Sequence, residues 1–113
     1  MEILDRTLKA LADKNRLRIL KLLEKKKMCV CELAYILGIA QPSVSKHLKK
    51  LISAGLIERE QDGFWTNYYL KKDNQYSKAL LRNLKLWLNE DETIKEDLKK
   101  AKKANRAELF SKR

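Results

Sequence analysis

The spacing of apolar residues predicts four helices in the first half of the chain. Positions 3, 4, 8 and 11 share one face of a helix over residues 2–12, and a second helix begins at the capping residue Asp13. A short extended stretch follows, and then a third helix that begins at residue 31 or 32 and ends before Gly38. A fourth helix begins near Pro42 and ends before Gly55.

The pattern changes from helical to alternating after the fourth helix. Two β-prone segments, residues 56–61 and 64–70, flank the pair Asp62-Gly63, which is typical of a tight hairpin turn. The predicted fold is therefore mainly α with a small β-hairpin. Its order is helix, helix, short strand, helix, helix, hairpin and helix, which is a winged helix-turn-helix.

A fifth helix is predicted over residues 73–90, where apolar residues form one stripe. The stripe includes Leu80, Leu84, Trp87 and Leu88. So small a domain leaves little to cover this stripe, which favours a homodimer. Residues 1–90 are expected to form one domain, and residues 91–113 a basic C-terminal extension that is helical and frayed.

The outer face of the fourth helix carries only amines and hydroxyls, and no acid lies between Pro42 and Ile57. Such a face fits against DNA, and the N-terminal end of the helix reaches base edges in the major groove. We expect base contacts from Gln41, Ser43, Ser45 and Lys46, and phosphate contacts from Lys49 and Lys50.

Two further parts of the chain are candidates for DNA contact. His47 lies on the flank between the core and the outer face, where it either contacts DNA or packs as a hydrogen-bonded residue. The hairpin tip lacks the usual basic residues, so a phosphate contact from the wing would come from Arg59, Gln61 or the backbone.

The net charge supports a polyanionic partner. The 113 residues include 26 Lys plus Arg and 15 Asp plus Glu, a formal net charge of +11. Nucleic acid is the expected partner, and a lysine-rich solvated surface is the alternative. No signal peptide opens the chain and no apolar run approaches the ~18 residues of a membrane span, so a cytoplasmic protein without a membrane partner is expected.

Both cysteines lie in one short stretch, Cys29-Val30-Cys31. In an extended segment their sulfurs point to the same side, and the helix N-terminus at Cys31 favours its thiolate. Thiolates select soft ions such as trivalent arsenic or antimony, cadmium, lead and copper(I). Oxidation sensing and simple apolar packing remain alternatives, although a disulfide between residues i and i+2 would be strained.

Three stretches together resemble the arsenic-repressor (ArsR-type) family of winged-helix metal sensors. They are LKALADKNRLRILKLLEKK, CVCELAYILGIAQPSVSKHLKKLISAGLIERE and DGFWTNYYL, and the resemblance covers roughly residues 4–90. It implies a homodimer with the first and last helices of that region at the interface, which adds Ile3, Leu4 and Leu8 to the stripe residues. It also implies repression by binding a double-stranded DNA operator, and release when an inducing ion binds Cys29 and Cys31.

The chain departs from the family at the third ligand. Arsenic sensors of this type often carry a third cysteine where this chain has Ala34, so water, a small thiol, Glu32 or nothing completes the site. The family's Asp, His and Glu site for zinc or nickel is not expected, since His47 is the only histidine. Arsenite is the leading inducer, with antimonite, cadmium and lead as alternatives, and no cofactor is expected for folding.

Three classes of function are compared. The first is a sequence-specific repressor released by a soft ion. The second is a winged-helix regulator without a metal response, or a general basic module that binds nucleic acid. The third is an enzyme, which is not expected because the chain has no phosphate loop, catalytic triad pattern or paired acids of a cleft.

Overall fold

A computed structural model describes residues 1–111 and confirms the predicted winged helix-turn-helix. In chain order the elements are α1 (Glu2–Leu11), α2 (Lys14–Leu23), α3 (Val30–Leu37), α4 (Gln41–Ser53), β1 (Ile57–Asp62), β2 (Trp65–Leu70), α5 (Gln75–Leu86), α6 (Glu92–Lys103) and α7 (Arg106–Ser111). None of the helices within residues 1–111 is long and apolar enough to cross a membrane.

The core lies where α2, α3, α4 and the hairpin meet. Its fully buried members include Ile19, Leu20, Leu22, Leu33, Ile36, Val44, Leu48, Leu51, Leu56 and Ile57. Three of them lie on α4 and leave its opposite face to solvent, as the helical spacing predicts. Burying this face fixes the rotation of α4, and therefore determines which side chains it presents outward.

The turn between α3 and α4 depends on one glycine. Gly38 ends α3 with a φ of +70°, in the left-handed region that residues with a Cβ rarely adopt. Its backbone N–H donates to the carbonyl of Ala34 at 2.9 Å. The chain then needs only two residues to reach α4, which keeps the two helices of the motif in contact.

Asp13 begins α2 as a capping residue, as its position in the sequence predicts. Its Oδ1 accepts a hydrogen bond from the backbone N–H of Arg16 at 3.0 Å. We expect Asp13→Ala to lower the free energy of unfolding by about 1 kcal/mol, because the N–H loses its partner. Urea denaturation measures the change. Asp5→Ala is the matched control, since Asp5 forms only an exposed ion pair with Lys9; an equal loss in both variants would contradict the capping role.

The hairpin forms at the predicted place, but its turn is shifted by one residue. Asp62 pairs with Trp65, so the two turn residues are Gly63 and Phe64 rather than Asp62 and Gly63. Gly63 has a φ of +58° and occupies the first turn position, where a hairpin turn of type II′ has glycine. Phe64 therefore lies at the very tip of the wing.

The fifth helix is shorter than predicted, and one residue expected at the interface is buried in its own chain. Helix α5 ends at Leu86, Trp87 is extended, and Leu88 has a φ of +67°. Leu84 lies in the core of its own chain with 3% exposure, so it is not available to a partner. The predicted stripe therefore combined helical residues with Trp87 and Leu88, which lie outside the helix. A new helix begins directly afterwards, with Asp91 as its capping residue.

Helix α6 packs against α2 and α3 instead of extending into solvent. Its buried residues include Ile94 and Ala101, and Ala101 belongs to the core. Asp97 is 2% exposed and accepts two hydrogen bonds of 2.8 Å from the guanidinium of Arg18. The predicted helical character of this segment is therefore observed as far as Ser111, whereas residues 112 and 113 lie outside the described part. The packing of α6 corrects the expectation of a frayed extension over residues 92–103, whereas the division of the chain at residue 90 stays a prediction.

Candidate functional site

The outer face of α4 presents the side chains predicted to contact DNA. Ser43, Lys46, Lys49 and Lys50 are exposed, while Gln41 and Ser45 are half-buried. Gln41 is the first residue of the helix, so it lies beside the turn of the helix-turn-helix. Four of the six, Gln41, Lys46, Lys49 and Lys50, carry amide or amine donors, and these are distributed over the first ten residues of the helix.

His47 lies in a different environment from the lysines. Its Nδ1 is 3.3 Å from a guanidinium nitrogen of Arg16, and Arg16 also donates hydrogen bonds to the carbonyls of Ala10 and Lys9. Arg16 is only 9% exposed. His47 therefore belongs to a polar contact that joins α4 to the junction of α1 and α2, which is the packed alternative for this residue.

The wing carries its charges in pairs. Lys27 contacts Glu60 at 2.9 Å, and Lys71 lies 3.5 Å from Glu58. Arg59 is exposed on β1, where it pairs with Tyr68 across the hairpin. The exposed group at the tip is Phe64, with 67% of its surface accessible. An apolar tip with a single outlying arginine distinguishes this wing from one that binds phosphate through basic residues at its tip.

The two cysteines are close together and buried. Their Sγ atoms are 2.8 Å apart and form a hydrogen bond, and both residues are free thiols with exposures of 4% and 8%. Cys29 is the residue that precedes α3, and Cys31 lies in its first turn. The sulfurs therefore share a side because of the geometry of a helix start, not because of the alternation of a strand.

Cys29 has a protonation state that the sequence did not predict, since the favoured thiolate was expected at Cys31. Burial and the hydrogen bond with Cys31 raise the pKa of Cys29 to about 12. The thiol is therefore neutral near pH 7, and a cation that binds it must displace its proton.

Glu32, one of the candidate third ligands, is already engaged. Its Oε1 accepts a hydrogen bond from the backbone N–H of Cys29 at 3.1 Å, and its Oε2 lies 3.8 Å from Lys26 Nζ. Among residues 1–111 no group of three or more His, Cys, Asp or Glu side chains is placed to hold a metal ion. Ala34, where the family often has its third thiol, packs against the core.

A pocket of about 220 Å³ joins the thiols to both elements expected to contact DNA. It is lined by Cys29, Val30, Cys31, Gln41, Phe64, Trp65 and Thr66. Gln41 begins the recognition helix, and the aromatic pair belongs to the wing. The sequence did not indicate that Phe64 and Trp65 line this pocket. The pairing of Asp62 with Trp65, which sets the place of the turn, is visible only in the strand register.

Trp65 is held from another side by the C-terminal segment. The guanidinium of Arg106 lies 4.7 Å from the centre of the Trp65 ring, and Arg106 Nη1 donates a hydrogen bond of 2.5 Å to Asn67 Oδ1. Cation–π contacts of this kind contribute roughly 0.5–2 kcal/mol. The wall of the thiol pocket is thereby connected to α7, a link that no sequence pattern indicated.

Exposed apolar residues lie on α1 and around the end of α5. Ile3 and Leu8 are 53% and 49% exposed, while Leu4 and Leu80 are half-buried. Leu86, Trp87 and Leu88 follow one another with 74%, 53% and 37% exposure. Apart from Leu84, the residues predicted for an interface are thus at least partly accessible, and Leu86 is a further candidate because its helix ends earlier than predicted.

Comparison with known proteins identifies the family. Residues 13–59 match the model of the arsR family of bacterial regulatory proteins. An arsenic resistance transcriptional regulator of Pseudomonas putida is 35% identical over 89 residues, which cover 74% of this chain and 70% of that protein. The chain belongs to the arsR family.

Two other similarities extend this assignment. An arsenical resistance operon repressor of Bacillus subtilis is 44% identical to the arsR-family chain over 66 residues, but the match spans 58% of the chain and only 63% of the repressor. A homodimeric winged helix-turn-helix DNA-binding domain of Mycobacterium bovis has 28% identity and a TM-score of 0.67, covering 79% of this chain and 81% of that one. The latter supports the fold over the region that contains the recognition helix and the wing.

Proposed function

We propose that this arsR-family chain is a dimeric, sequence-specific transcriptional repressor that releases its operator when Cys29 and Cys31 bind a soft ion. The observation that carries the proposal is the shared pocket, in which the two thiols lie beside Gln41 of the recognition helix and the aromatic residues of the wing. An ion bound there would act directly on both elements that approach DNA.

The expected DNA contacts divide by position on α4. Gln41, Ser43, Ser45 and Lys46 at the N-terminal end would approach base edges, and Lys49 and Lys50 would neutralise phosphates. His47 would assist through the Arg16 contact rather than by reading a base, and Arg59 would add a phosphate contact from the wing. Together these residues would provide the surface that contacts DNA.

Dimerisation is supported by the apolar surface of α1 and of the end of α5 with the two residues that follow it. Covering Ile3, Leu8, Leu86, Trp87 and Leu88 with a second copy would remove large apolar side chains from water, at roughly 25 cal/mol per Å². A twofold dimer also places two recognition helices at a fixed spacing, as palindromic operators require.

Release would follow from the geometry of the helix start. Two sulfurs bound to one ion through bonds of about 2.3 Å, at angles of about 90–110°, lie roughly 3.3–3.8 Å apart, whereas the thiols here are 2.8 Å apart. Binding must therefore move Cys29 relative to Cys31 and disturb the first turn of α3. Since α3 packs on α4, this movement would change the spacing of the recognition helices in the dimer, with a coupling of typically 1–3 kcal/mol.

Arsenite is favoured over cadmium by the state of the thiols. Arsenous acid is neutral, and each hydroxide that leaves it takes up the proton of a thiol as water. A divalent cation must instead release the protons of thiols, and the raised pKa of Cys29 opposes this. The deciding experiment titrates arsenite, antimonite, cadmium, zinc and copper(I) against the protein on its own upstream DNA; if none of them releases the DNA, ion sensing is excluded.

The burial of both thiols favours one alternative, an arsR-family regulator whose cysteines only pack. Such a protein would bind an operator with the same affinity in the presence and absence of every ion. A general nucleic-acid module would differ from both, because its binding would depend steeply on salt and show no preference for an operator.

The lysines of α4 provide a test of DNA contact. We expect Lys50→Ala to weaken binding to operator and to unrelated DNA alike, and to reduce the slope of log affinity against log salt by about 1.8 for a dimer. Gln41→Ala should instead reduce the ratio of operator affinity to affinity for unrelated DNA by about tenfold. Fluorescence anisotropy over a salt series measures both. Lys99→Ala, on the exposed face of α6, is the matched control; a control effect equal to that of Lys50→Ala would contradict the assigned surface.

A further inference from the structure

The aromatic walls of the thiol pocket have no part in the binding of an inorganic ion. Phe64 is 67% exposed at the wing tip, and its ring meets that of Trp65 edge to face, with centres 5.3 Å apart and an angle of 85° between the planes. Both rings line the pocket that contains Cys29 and Cys31. A large apolar side chain at this exposed position, beside two thiols, points to a ligand with an apolar part of its own.

Resting on the proposed function, we propose that the ligand class of this pocket is trivalent arsenicals that carry one organic group, R–As(OH)₂. The arsenic would be bound by Cys29 and Cys31, and the organic group would pack against Phe64 and Trp65. Inorganic arsenous acid would bind the same thiols more weakly.

The number of thiols matches this class. Trivalent arsenic forms three bonds, and a carbon substituent leaves two for sulfur. Residues 1–111 offer two thiols in this pocket, and no group of three or more His, Cys, Asp or Glu side chains is placed together anywhere in this range. Arsenous acid would keep one hydroxyl that exchanges with water, whereas a monosubstituted arsenical would leave no bond unfilled. A ligand of this class needs no third thiol, so alanine at position 34 does not leave the site incomplete.

The reaction balances without an oxidant or reductant. Two As–O bonds break and two As–S bonds form, while the As–C bond stays intact and arsenic remains trivalent. Each departing hydroxide takes the proton of one thiol, so two water molecules leave. The exchange therefore releases no net proton to solvent.

The size and polarity of the pocket agree with this ligand. Its volume is about 220 Å³, and a cavity of about 150 Å³ already holds a benzene ring. None of its lining residues is charged: besides the thiols and the two aromatic rings they are Val30, Gln41 and Thr66. The Trp65 ring is held in place by the Arg106 guanidinium at 4.7 Å, so the wall exists before a ligand arrives.

The test compares phenylarsine oxide, which hydrates to phenylarsonous acid, with arsenite. Isothermal titration of the full chain without DNA gives the affinity of each, and dithiothreitol provides their intrinsic ratio for a dithiol without walls. We expect the protein to exceed that intrinsic preference for the phenyl compound by about tenfold, as one or two aromatic contacts provide. Phe64→Ala should remove most of this excess. Tyr35→Ala, an exposed aromatic residue of α3 that does not line the pocket, should leave it unchanged.

The outcomes separate this inference from the function on which it rests. If the protein shows the same ratio as dithiothreitol, or if Phe64→Ala leaves the ratio unchanged, the aromatic pocket is not selecting the organic group and the inference is wrong. Release of DNA by arsenite would still stand in that case. If neither compound binds the wild-type chain, both the inference and ion sensing at the thiols are overturned.

Discussion

Serine in place of either cysteine is expected to abolish release of DNA by arsenite while DNA affinity stays within about twofold. Loss of a residue that only orients a metal ligand already costs about 10–100-fold in metal affinity, so loss of a direct ligand should cost about 100-fold or more. Titration of arsenite into the complex of protein and operator, followed by anisotropy, measures the concentration for half release in the wild type, Cys29→Ser and Cys31→Ser.

The serine variants are expected to fold normally for a local reason. Cys29 precedes α3 in extended conformation, with φ −90° and ψ 170°, and serine is among the preferred residues at this position. The hydrogen bond from the Cys29 N–H to Glu32 uses the backbone and is kept. Serine does not bind soft ions, so the substitution removes the ligand and retains the helix start.

Val30→Ala is the matched control, since this residue lies between the cysteines and lines the same pocket without offering a ligand. It should still release DNA with arsenite. Normal release in both serine variants would show that the thiols are not the sensing groups.

The same titration separates arsenite from cadmium through its pH dependence. The raised pKa of Cys29, about 12, keeps this thiol protonated between pH 6 and 8. Cadmium binding must release the proton of Cys29, and this one proton should raise the apparent affinity by about tenfold per pH unit. Arsenous acid exchanges hydroxide for thiol with no net proton, so its affinity should be nearly constant over this range.

Arg18→Ala is expected to lower the free energy of unfolding by about 3 kcal/mol, among the larger effects that a single substitution has. Arg18 donates two hydrogen bonds of 2.8 Å to Asp97, whose side chain is only 3% exposed. These hydrogen bonds also raise the pKa of Arg18 above its usual value. Without the guanidinium, a buried carboxylate has no compensating charge. Urea denaturation of the dimer at fixed concentration measures the loss.

Two comparisons make this result specific to the buried pair. Lys99→Ala removes one member of an exposed pair with Glu96 on the same helix, and should change stability by less than about 0.5 kcal/mol. The double variant Arg18→Met/Asp97→Leu should recover most of the stability, because apolar residues of similar volume replace a desolvated pair. If Arg18→Ala costs no more than the control, α6 does not dock on α2 in solution as described.

The amino-acid sequence by itself determined the helix-turn-helix, the hairpin and the rotation of α4. Apolar residues at helical spacing require one face of α4 to be buried, so the amines and hydroxyls between Gln41 and Lys50 must face outward. Local signals were sufficient for the main boundaries here, because Asp13, Gly38 and Pro42 act on their immediate neighbours. The closeness of the two sulfurs was likewise local, since they are two residues apart.

Tertiary structure alone decided the features that depend on contacts between distant parts of the chain. The pocket of the thiols requires the register of the hairpin, which moves the turn to Gly63-Phe64 and brings the aromatic rings toward α3. The buried ion pair joins residues 79 positions apart, and it converts a charged segment that resembles a frayed extension into a packed helix. Periodicity reports which residues share a face of one element but contains no information about which element will cover it. For the same reason the sequence did not show the raised pKa of Cys29, since its largest cause is burial, which neighbours distant in sequence create.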